Sequence, residues 1–322
     1  MTQLRKLLSG IHEAIGQTPV VSLSRLTQVY GVTGNIFAKL ENLNPGHSKK
    51  DRIALQIIEN AENSGLLSKE QAVVELTSGN TGTGLSIVCA VKGYRFIAVM
   101  SKGNSPERAR MMRALGAEVV LVDQAEGSVV GQVSGEDLAL VEEETNRIVK
   151  QLGAFRADQF NAIGNVQAHE LTGEELWEQC EGRIDAYVDF VGTAGTFSGC
   201  AGALKKHNPE ISCYVVEPES APHIAGKPIC NPNHRIQGGG YSYDLNLLDK
   251  SLVSGYLTVN DEEAIQTARA LARYEGIFAG FSSGANVAAA LQLLAGKESG
   301  RSIALTINDT GLKYLSTDLY DD

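Results

Sequence analysis

The sequence predicts an α/β protein with mostly parallel sheets, and three observations support this. The chain has 322 residues, enough for two domains at about 150 residues each. Short apolar runs rich in β-branched residues alternate with longer segments of helical period, which is typical of βαβ units. The apolar fraction of 43%, with 34 glycines and 8 prolines, is that of a globular chain.

The order of these segments gives the predicted elements. The strands are expected at 72–76, 96–100, 118–122, 186–191, 213–217 and 303–307. The helices are expected at 53–64, 83–92, 106–115, 135–152, 166–179, 262–274 and 285–294. In the first helix, Ile53 and Ile57 belong to one apolar stripe. Two irregular stretches stand apart: 123–136, interpreted as an insertion or linker, and 218–244, typical of a functional loop.

Composition excludes several classes of function. The chain has 28 Lys+Arg against 38 Asp+Glu, a net charge of -10, which disfavours nucleic-acid binding. No apolar run approaches the roughly 20 residues that span a bilayer, and the first residues do not resemble a signal peptide, so we expect no membrane partner and a cytoplasmic location. An odd set of cysteines without a Cys-x-x-Cys pair predicts reduced thiols and no metal site. These cysteines are Cys89, Cys180, Cys200, Cys213 and Cys230.

The first segment with chemical potential joins a strand end to a helix through Pro45-Gly46. Ser48 is the predicted N-cap with Asp51 at the third helical position. Lys50 then lies in the first turn, where the helix dipole and burial both lower the pKa of a lysine. It is a candidate amine nucleophile; the alternative is a solvated lysine on a capped helix.

Two further segments place polar groups or glycines between a strand and a helix. Thr77-Ser-Gly-Asn-Thr-Gly82 offers hydroxyl, amide and backbone donors, which suit a carboxylate. Gly192-Thr-Ala-Gly-Thr196 has the arrangement of a phosphate loop. Its spacing is not Gly-x-Gly-x-x-Gly, and Cys200 stands where a nucleotide-binding loop needs Lys, so a phosphate without magnesium fits better. A plain strand-to-helix turn is the alternative for this third segment.

The fourth segment, Gly280-Phe-Ser-Ser-Gly284, places two serines at another loop-to-helix junction. A serine hydroxyl can donate to a ring nitrogen and leave it unprotonated, whereas an aspartate would keep a proton on it. The alternative is that Ser282 and Ser283 are ordinary helix caps.

Together these segments resemble the cysteine synthase and cystathionine β-synthase family of fold-type II pyridoxal 5'-phosphate enzymes. The resemblance extends over nearly the whole chain and is specific because its motifs occur in one order. They are Gly16-Gln-Thr-Pro19, Ser48-Lys-Lys-Asp-Arg52, Thr77-Ser-Gly-Asn-Thr-Gly82, Gln159-Phe160, Gly192-Thr-Ala-Gly-Thr196, Ile236-Gln-Gly, Gly280-Phe-Ser-Ser-Gly284 and Asp309-Thr-Gly with Lys313-Tyr-Leu-Ser-Thr.

The resemblance implies a role for each matched residue. Lys50 resembles the lysine that bonds to the cofactor, and Lys49 takes the place of an apolar residue usual in the family. Asn80 resembles the partner of the cofactor's ring hydroxyl, and Ser282 that of its pyridine nitrogen. The phosphate cup would be Gly192, Thr193, Ala194, Gly195 and Thr196. The residues that would grip the substrate carboxylate are Thr77, Ser78, Gly79, Thr81 and Gln159.

The resemblance also implies a tryptophan synthase β-like architecture of two three-layer α/β domains. The smaller, mobile N-terminal domain is expected at 45–155 with the carboxylate loop. The larger domain, 1–44 plus 156–322, would carry the phosphate cup and the pyridine-nitrogen serine. The cofactor is expected in the interdomain cleft.

The implied activity is β-replacement on an O-activated serine through an aminoacrylate intermediate, most simply O-acetylserine plus sulfide to cysteine. A neutral pyridine nitrogen makes the ring a weaker electron sink, which suits loss of a β-substituent over transamination. The alternatives are cystathionine β-synthase-like replacement, and β-elimination by a cysteine desulfhydrase or serine/threonine dehydratase. A catalytically silent binding or regulatory homologue is the non-enzyme alternative.

The loop Gly238-Gly-Gly-Tyr-Ser-Tyr-Asp244 departs from the Gly-Ile-Gly-Ala-Gly-Phe usual in cysteine synthases and is closer to the Gly-Tyr pattern of cystathionine β-synthases. Gly239, Tyr241 and Tyr243 therefore form a candidate second-substrate loop; tyrosines packed on a surface turn are the alternative. We expect a homodimer that takes an amino-acid substrate and a small nucleophile. Serine acetyltransferase docking is expected to be weak or absent.

Overall fold

The computed structural model describes residues 7–128, 133 and 135–321. Among them, two compact units are distinguished, the first with residues 7–16, 44–46 and 50–164 and the second with 17–43, 47–49 and 165–321. Residues 129–132 and 134 of the expected 123–136 insertion lie outside the described residues. Over the described ranges, every helix is too short or too polar to cross a membrane.

The strands and helices are numbered in chain order. The strands are β1 Val20–Ser22, β2 Asn35–Leu40, β3 Val73–Leu76, β4 Phe96–Ser101, β5 Glu118–Val122, β6 Phe155–Arg156, β7 Ala186–Phe190, β8 Ser212–Pro218, β9 Gly255–Val259 and β10 Ser302–Ile307. The helices are α1 Ser24–Val29, α2 Lys50–Asn63, α3 Asn80–Lys92, α4 Pro106–Ala114, α5 Gly135–Leu152, α6 Gly164–Gln179, α7 Gly195–His207, α8 Asp261–Ala270 and α9 Phe281–Ala295.

The first unit is a three-layer α/β structure around a parallel sheet of order β5-β4-β3-β6. Side chains alternate between its faces, as the pleat of a strand requires. Val73 packs with Ile57 of α2 and Leu85 of α3, whereas its neighbour Val74 packs with Val141 of α5. The sheet is therefore covered on both sides, and the loops after β3 and β4 emerge at its carboxyl edge.

The second unit has the same layered plan around a sheet of order β1-β2-β10-β7-β8-β9. Only the pairing of β1 with β2 is antiparallel among the described strand pairs. One face packs Val188 of β7 against α9 residues such as Val287. The other packs Tyr187 against Phe197 of α7. Helix α7 follows β7, and the start of α9 is bonded to Asn308, the residue after β10. Both helices therefore begin at the carboxyl ends of strands, where α/β proteins bind ligands.

The predicted strands and helices are present within about one helical turn of their expected bounds. The strands β1, β6 and β9 and the helix α1 were not predicted, and β2 was expected only as a strand end before Pro45-Gly46. The compact units also differ from the expected domain limits. Residues 7–16 join the first unit because the 3-10 helix Ile11–Ala14 packs on α3, and residues 156–164 join it because β6 pairs with β3.

Candidate functional site

Lys50 is the first residue of α2 and is partly exposed, while the next two residues, Asp51 and Arg52, are buried. The Asp51 carboxylate accepts a hydrogen bond from the Gly46 backbone N–H and so closes the Pro-Gly turn onto the helix. The Lys50 carbonyl oxygen lies against Gly84 of α3, where a Cβ would stand only 3.0 Å away. A larger residue than glycine at this position would require α2 and α3 to move slightly apart.

Ser48, the predicted N-cap, lies two residues before Lys50, the first residue of α2. Ser48 forms an isolated antiparallel bridge with Asp309, and the Lys49 N–H donates to the Asn308 carbonyl at 2.9 Å. These two contacts hold residues 48 and 49 beside residues 308 and 309, directly before the helix begins at Lys50.

Lys49 is held in an ion pair inside the second unit. Its Nζ lies 2.9 Å from Oδ1 of Asp189, and the two side chains are 9% and 1% exposed. The Lys49 ammonium is thus bound to a carboxylate on β7. This ion pair favours the neighbouring Lys50 as the reactive amine.

The loop from β3 to α3 brings together residues that are far apart in sequence. The Thr81 hydroxyl donates to Oε1 of Gln159 at 2.6 Å. Thr77 Oγ1 accepts the Gly82 N–H at 2.9 Å and closes the turn around Gly79. Thr77, Thr81 and Gln159 are all buried. This compact set of donors at the start of a 13-residue helix suits a carboxylate.

Arg108 of α4 adds a positive charge to this loop. Its Nη1 donates to the Ser78 carbonyl at 3.4 Å and approaches the Ser78 hydroxyl at 3.5 Å. Asn80 begins α3 and is partly buried. A cationic group beside the loop strengthens its preference for an anion.

The segment 192–196 connects β7 to α7 in the second unit. Ala194 adopts a left-handed backbone conformation with φ 63° at the position before the helix. Asn165 Nδ2 donates to Thr193 Oγ1 at 2.8 Å, and a Cβ on Gly195 would collide with the Asn165 side chain. The two threonines, Thr193 and Thr196, are buried at the start of a 13-residue helix. Such a helix start is suited to a phosphate.

Ser282 lies in the first turn of α9, and its Oγ accepts a hydrogen bond from Asn308 Nδ2 at 3.0 Å. That bond uses a lone pair of the oxygen and leaves the hydroxyl hydrogen available to donate. The Asn308 N–H donates to Ser283 Oγ at 2.9 Å, so the neighbouring serine is structural. Ser282 is 8% exposed whereas Ser283 is fully buried, so Ser282 is the better placed of the two to donate to a bound ring nitrogen.

The loop 238–244 is attached to the start of the phosphate loop. The Gly240 N–H donates to the Val191 carbonyl at 3.1 Å, and His234 Nε2 donates to the Gly240 carbonyl at 3.1 Å. A Cβ on Gly239 would collide with the same Val191 oxygen. Beyond this fixed base, the rings of Tyr241 and Tyr243 stack with centroids 5.7 Å apart.

The two tyrosines remain accessible, with 40% and 44% of their surfaces exposed. They project from a turn in which Ser242 has φ 59°. The loop therefore combines a rigid backbone next to the phosphate loop with an exposed aromatic pair.

The predicted site residues fall into two groups, one in each unit. The first unit holds Lys50, Thr77, Ser78, Gly79, Asn80, Thr81 and Gln159. The second holds Gly192, Thr193, Ala194, Gly195, Thr196, Gly239, Tyr241, Tyr243 and Ser282. Sequence reasoning missed four supporting residues, whose partners lie far away in the chain: Glu75, Arg108, Asn165 and Asn308.

Comparison with known proteins gives consistent matches over almost the full chain. The model of the family described as pyridoxal-phosphate dependent enzyme matches residues 11–309. A cysteine synthase of Staphylococcus aureus is 38% identical over 319 residues, covering 98% of each chain.

Solved structures agree with this match. O-acetyl serine sulfhydrylase isoform 3 from Entamoeba histolytica is 35% identical with a TM-score of 0.92, covering 100% of this chain and 94% of that one. A hydrogen sulfide-producing enzyme from Fusobacterium nucleatum is 36% identical with a TM-score of 0.88, covering 97% and 99%.

Proposed function

This chain belongs to the family of pyridoxal-phosphate dependent enzymes, and on that premise we propose that it replaces the β-substituent of O-acetylserine with sulfide to form cysteine. It is an enzyme whose cofactor is pyridoxal 5'-phosphate. The observation that carries the proposal is Ser282, whose hydroxyl accepts from Asn308 and keeps its hydrogen for a ring nitrogen. A serine at this position favours loss of a β-substituent over transamination.

The residues present fit the cofactor. The start of α7 supplies backbone donors and the buried Thr193 and Thr196 hydroxyls, the chemistry that a phosphate requires. Asn165 fixes Thr193 and fills the space beside Gly195, so the loop is already shaped in the protein alone. The amine that bonds to the cofactor would be that of Lys50, since Lys49 is paired with Asp189.

When bound, the cofactor supplies an electron-withdrawing ring conjugated with the substrate nitrogen. The amine of Lys50 would then be the base that takes the proton from the substrate α-carbon. Departure of acetate from the β-carbon and addition of sulfide there complete the replacement.

Substrate orientation would come from the loop after β3. Thr81 and Gln159 form one hydrogen-bonded unit, and Thr77 holds the turn between them and the strand. The substrate carboxylate would bind to this loop, with Arg108 beside Ser78 adding favourable charge. Fixing the carboxylate and the amine together sets the α-proton toward the base.

A second candidate function is β-elimination with release of hydrogen sulfide from cysteine. The similarity to the hydrogen sulfide-producing enzyme of Fusobacterium nucleatum favours it. The exposed Tyr241–Tyr243 pair would govern the choice, because it lies on the loop bonded to Val191, directly before the phosphate loop. Replacement requires that a second substrate be admitted, whereas elimination requires only water.

A steady-state screen of the holoenzyme separates these functions. O-acetylserine is supplied with sulfide, cyanide or homocysteine, and cysteine is supplied alone. Cysteine formation from O-acetylserine and sulfide should exceed every other rate by at least about tenfold. Faster sulfide release from cysteine alone would favour the elimination function. Cystathionine as the main product would favour cystathionine β-synthase-like replacement, with homocysteine as the nucleophile.

The assembly and location of the enzyme are also proposed. It acts as a homodimer in the cytoplasm and binds a serine acetyltransferase tail weakly or not at all. Among the described residues all five cysteines are free thiols and only Cys230 is exposed, which is consistent with a reducing compartment. Light scattering during gel filtration gives the mass of the assembly, and a monomer mass would contradict the dimer.

A further inference from the structure

A buried carboxyl group lies at the end of β3, two residues before the carboxylate loop. Glu75 is 1% exposed. Its Oε2 accepts the Asp158 N–H at 2.7 Å, and its Oε1 accepts the Gln159 N–H at 3.4 Å. Asp158 has φ 49°, a left-handed conformation that costs energy for a residue with a side chain. Glu75 thus holds an unfavourable turn in place.

This turn determines where the Gln159 side chain points. Gln159 Oε1 accepts the Thr81 hydroxyl at 2.6 Å. The Glu75 carboxylate is therefore connected to the start of α3 in two steps. It binds the backbone N–H of Gln159, and the Gln159 side chain binds the Thr81 hydroxyl. All four residues, Glu75, Asp158, Gln159 and Thr81, lie in the first unit.

An ionised acid at this position has an energetic cost. Burial raises the pKa of Glu75 to about 7, so the ionised form is costly here. Arg156 faces it from β6 and is itself bound to Glu142 of α5 at 2.6 Å. A carboxylate can accept two N–H groups at once, whereas a glutamine offers one oxygen and would present an NH₂ group to the second amide.

We propose that Glu75 is a positioning residue that holds Gln159 and Thr81 in the arrangement that binds the substrate carboxylate. This inference rests on the proposed function, which assigns carboxylate binding to Thr81 and Gln159. Glu75 does not touch the substrate; it acts through the 158–159 turn.

The chain offers a matched control in its other unit. Glu217 is 2% exposed, and its carboxylate accepts the N–H groups of Ile224 and Ala225 at 2.7 and 2.8 Å. Burial raises its pKa as well. Glu217→Gln therefore makes the same chemical change at the same kind of turn, without a link to Thr81.

The test uses steady-state kinetics of the holoenzymes with O-acetylserine. Glu75→Gln should raise KM for O-acetylserine by about tenfold or more, with kcat within about threefold, because one charge-assisted contact to the turn is lost. Glu217→Gln should leave both constants unchanged. Amide hydrogen exchange should quicken at residues 158–159 in Glu75→Gln and not in Glu217→Gln.

A double-mutant cycle with Gln159→Ala identifies the route of the effect. If Glu75 acts through Gln159, Glu75→Gln adds little to KM once Gln159 is removed. Additive effects, or an equal change in kcat and KM, overturn the proposal. Glu75→Asp provides a second variant that keeps the charge, and it should recover part of the affinity.

The same data separate this inference from the proposed function. If Gln159→Ala raises KM but Glu75→Gln does not, the carboxylate site stands and the role of Glu75 is refuted. If Gln159→Ala leaves KM unchanged, the assignment of the carboxylate site fails, and the role of Glu75 fails with it.

Discussion

The ion pair between Lys49 and Asp189 can be tested by removing one charge. In Lys49→Met, the Asp189 carboxylate, 1% exposed, loses an ammonium group that lies 2.9 Å away. Breaking a buried pair from one side costs about 3–5 kcal/mol, because the remaining charge is still desolvated. At about 2–4 °C per kcal/mol for a domain of this size, the transition of the second unit should fall by roughly 10 °C.

The assay is thermal unfolding at a fixed excess of cofactor, so that ligand binding stabilises every variant under the same conditions. The double variant Lys49→Met/Asp189→Ala removes both charges and should recover most of the lost stability. Arg95→Ala is the control, since Arg95 and Glu118 form a pair at 2.6 Å with side chains 52% and 54% exposed. Breaking such a surface pair costs about 1 kcal/mol or less.

The reasoning would be refuted if Lys49→Met unfolded within about 2 °C of the parent protein. It would also be refuted if the double variant were less stable than either single variant. In both cases the pair would not be the reason why a lysine occupies this position.

Three further predictions follow from individual residues. Ser282→Asp should lower β-replacement and yield transamination products, because an acid protonates the ring nitrogen; unchanged product ratios by mass spectrometry would mean that Ser282 does not face that nitrogen. Tyr241→Phe and Tyr243→Phe should change the KM for the nucleophile and leave acetate release in a stopped-flow single turnover nearly intact; equal effects on both steps would reject a role in nucleophile choice. The pKa of Glu75 is raised from 4.5 to about 7 by burial, so this group stabilises the fold below pH 4.5 and loses that contribution as pH rises through 7. Between pH 4 and pH 8 the unfolding free energy of the parent protein should therefore fall by roughly 3 kcal/mol more than that of Glu75→Gln. Urea unfolding that shows the same fall in the parent protein and in Glu75→Gln would contradict this.

Sequence predicted the fold where hydrophobic period and length are decisive. The β7 and β10 runs are mostly apolar and buried at every position, because both faces of the sheet are covered. Strand β2 was expected only as a strand end, because it contains Lys39, which lies fully buried and pairs with Glu175 at 2.7 Å. Only the tertiary structure reveals a partner at that distance in sequence.

In the site, too, local motifs could be recognised from the sequence, whereas contacts between distant residues could not. Glycines, hydroxyls and Lys50 occur as local motifs at strand-to-helix junctions and could be recognised from their order. Their supports could not be recognised, because Asn165 meets Thr193, and Asn308 meets Ser282, only after the second unit has folded. The bridge between Ser48 and Asp309 could not be recognised either, because the two residues are far apart in sequence.

The measurement that tests the central claim most directly is the identity of the lysine bonded to the cofactor. The holoenzyme is reduced with borohydride, digested and mapped by mass spectrometry. The ion pair of Lys49 with Asp189 and the place of Lys50 at the start of α2 predict a pyridoxyl adduct on Lys50 alone. An adduct on Lys49, or on any lysine outside the 48–52 segment, would contradict the account.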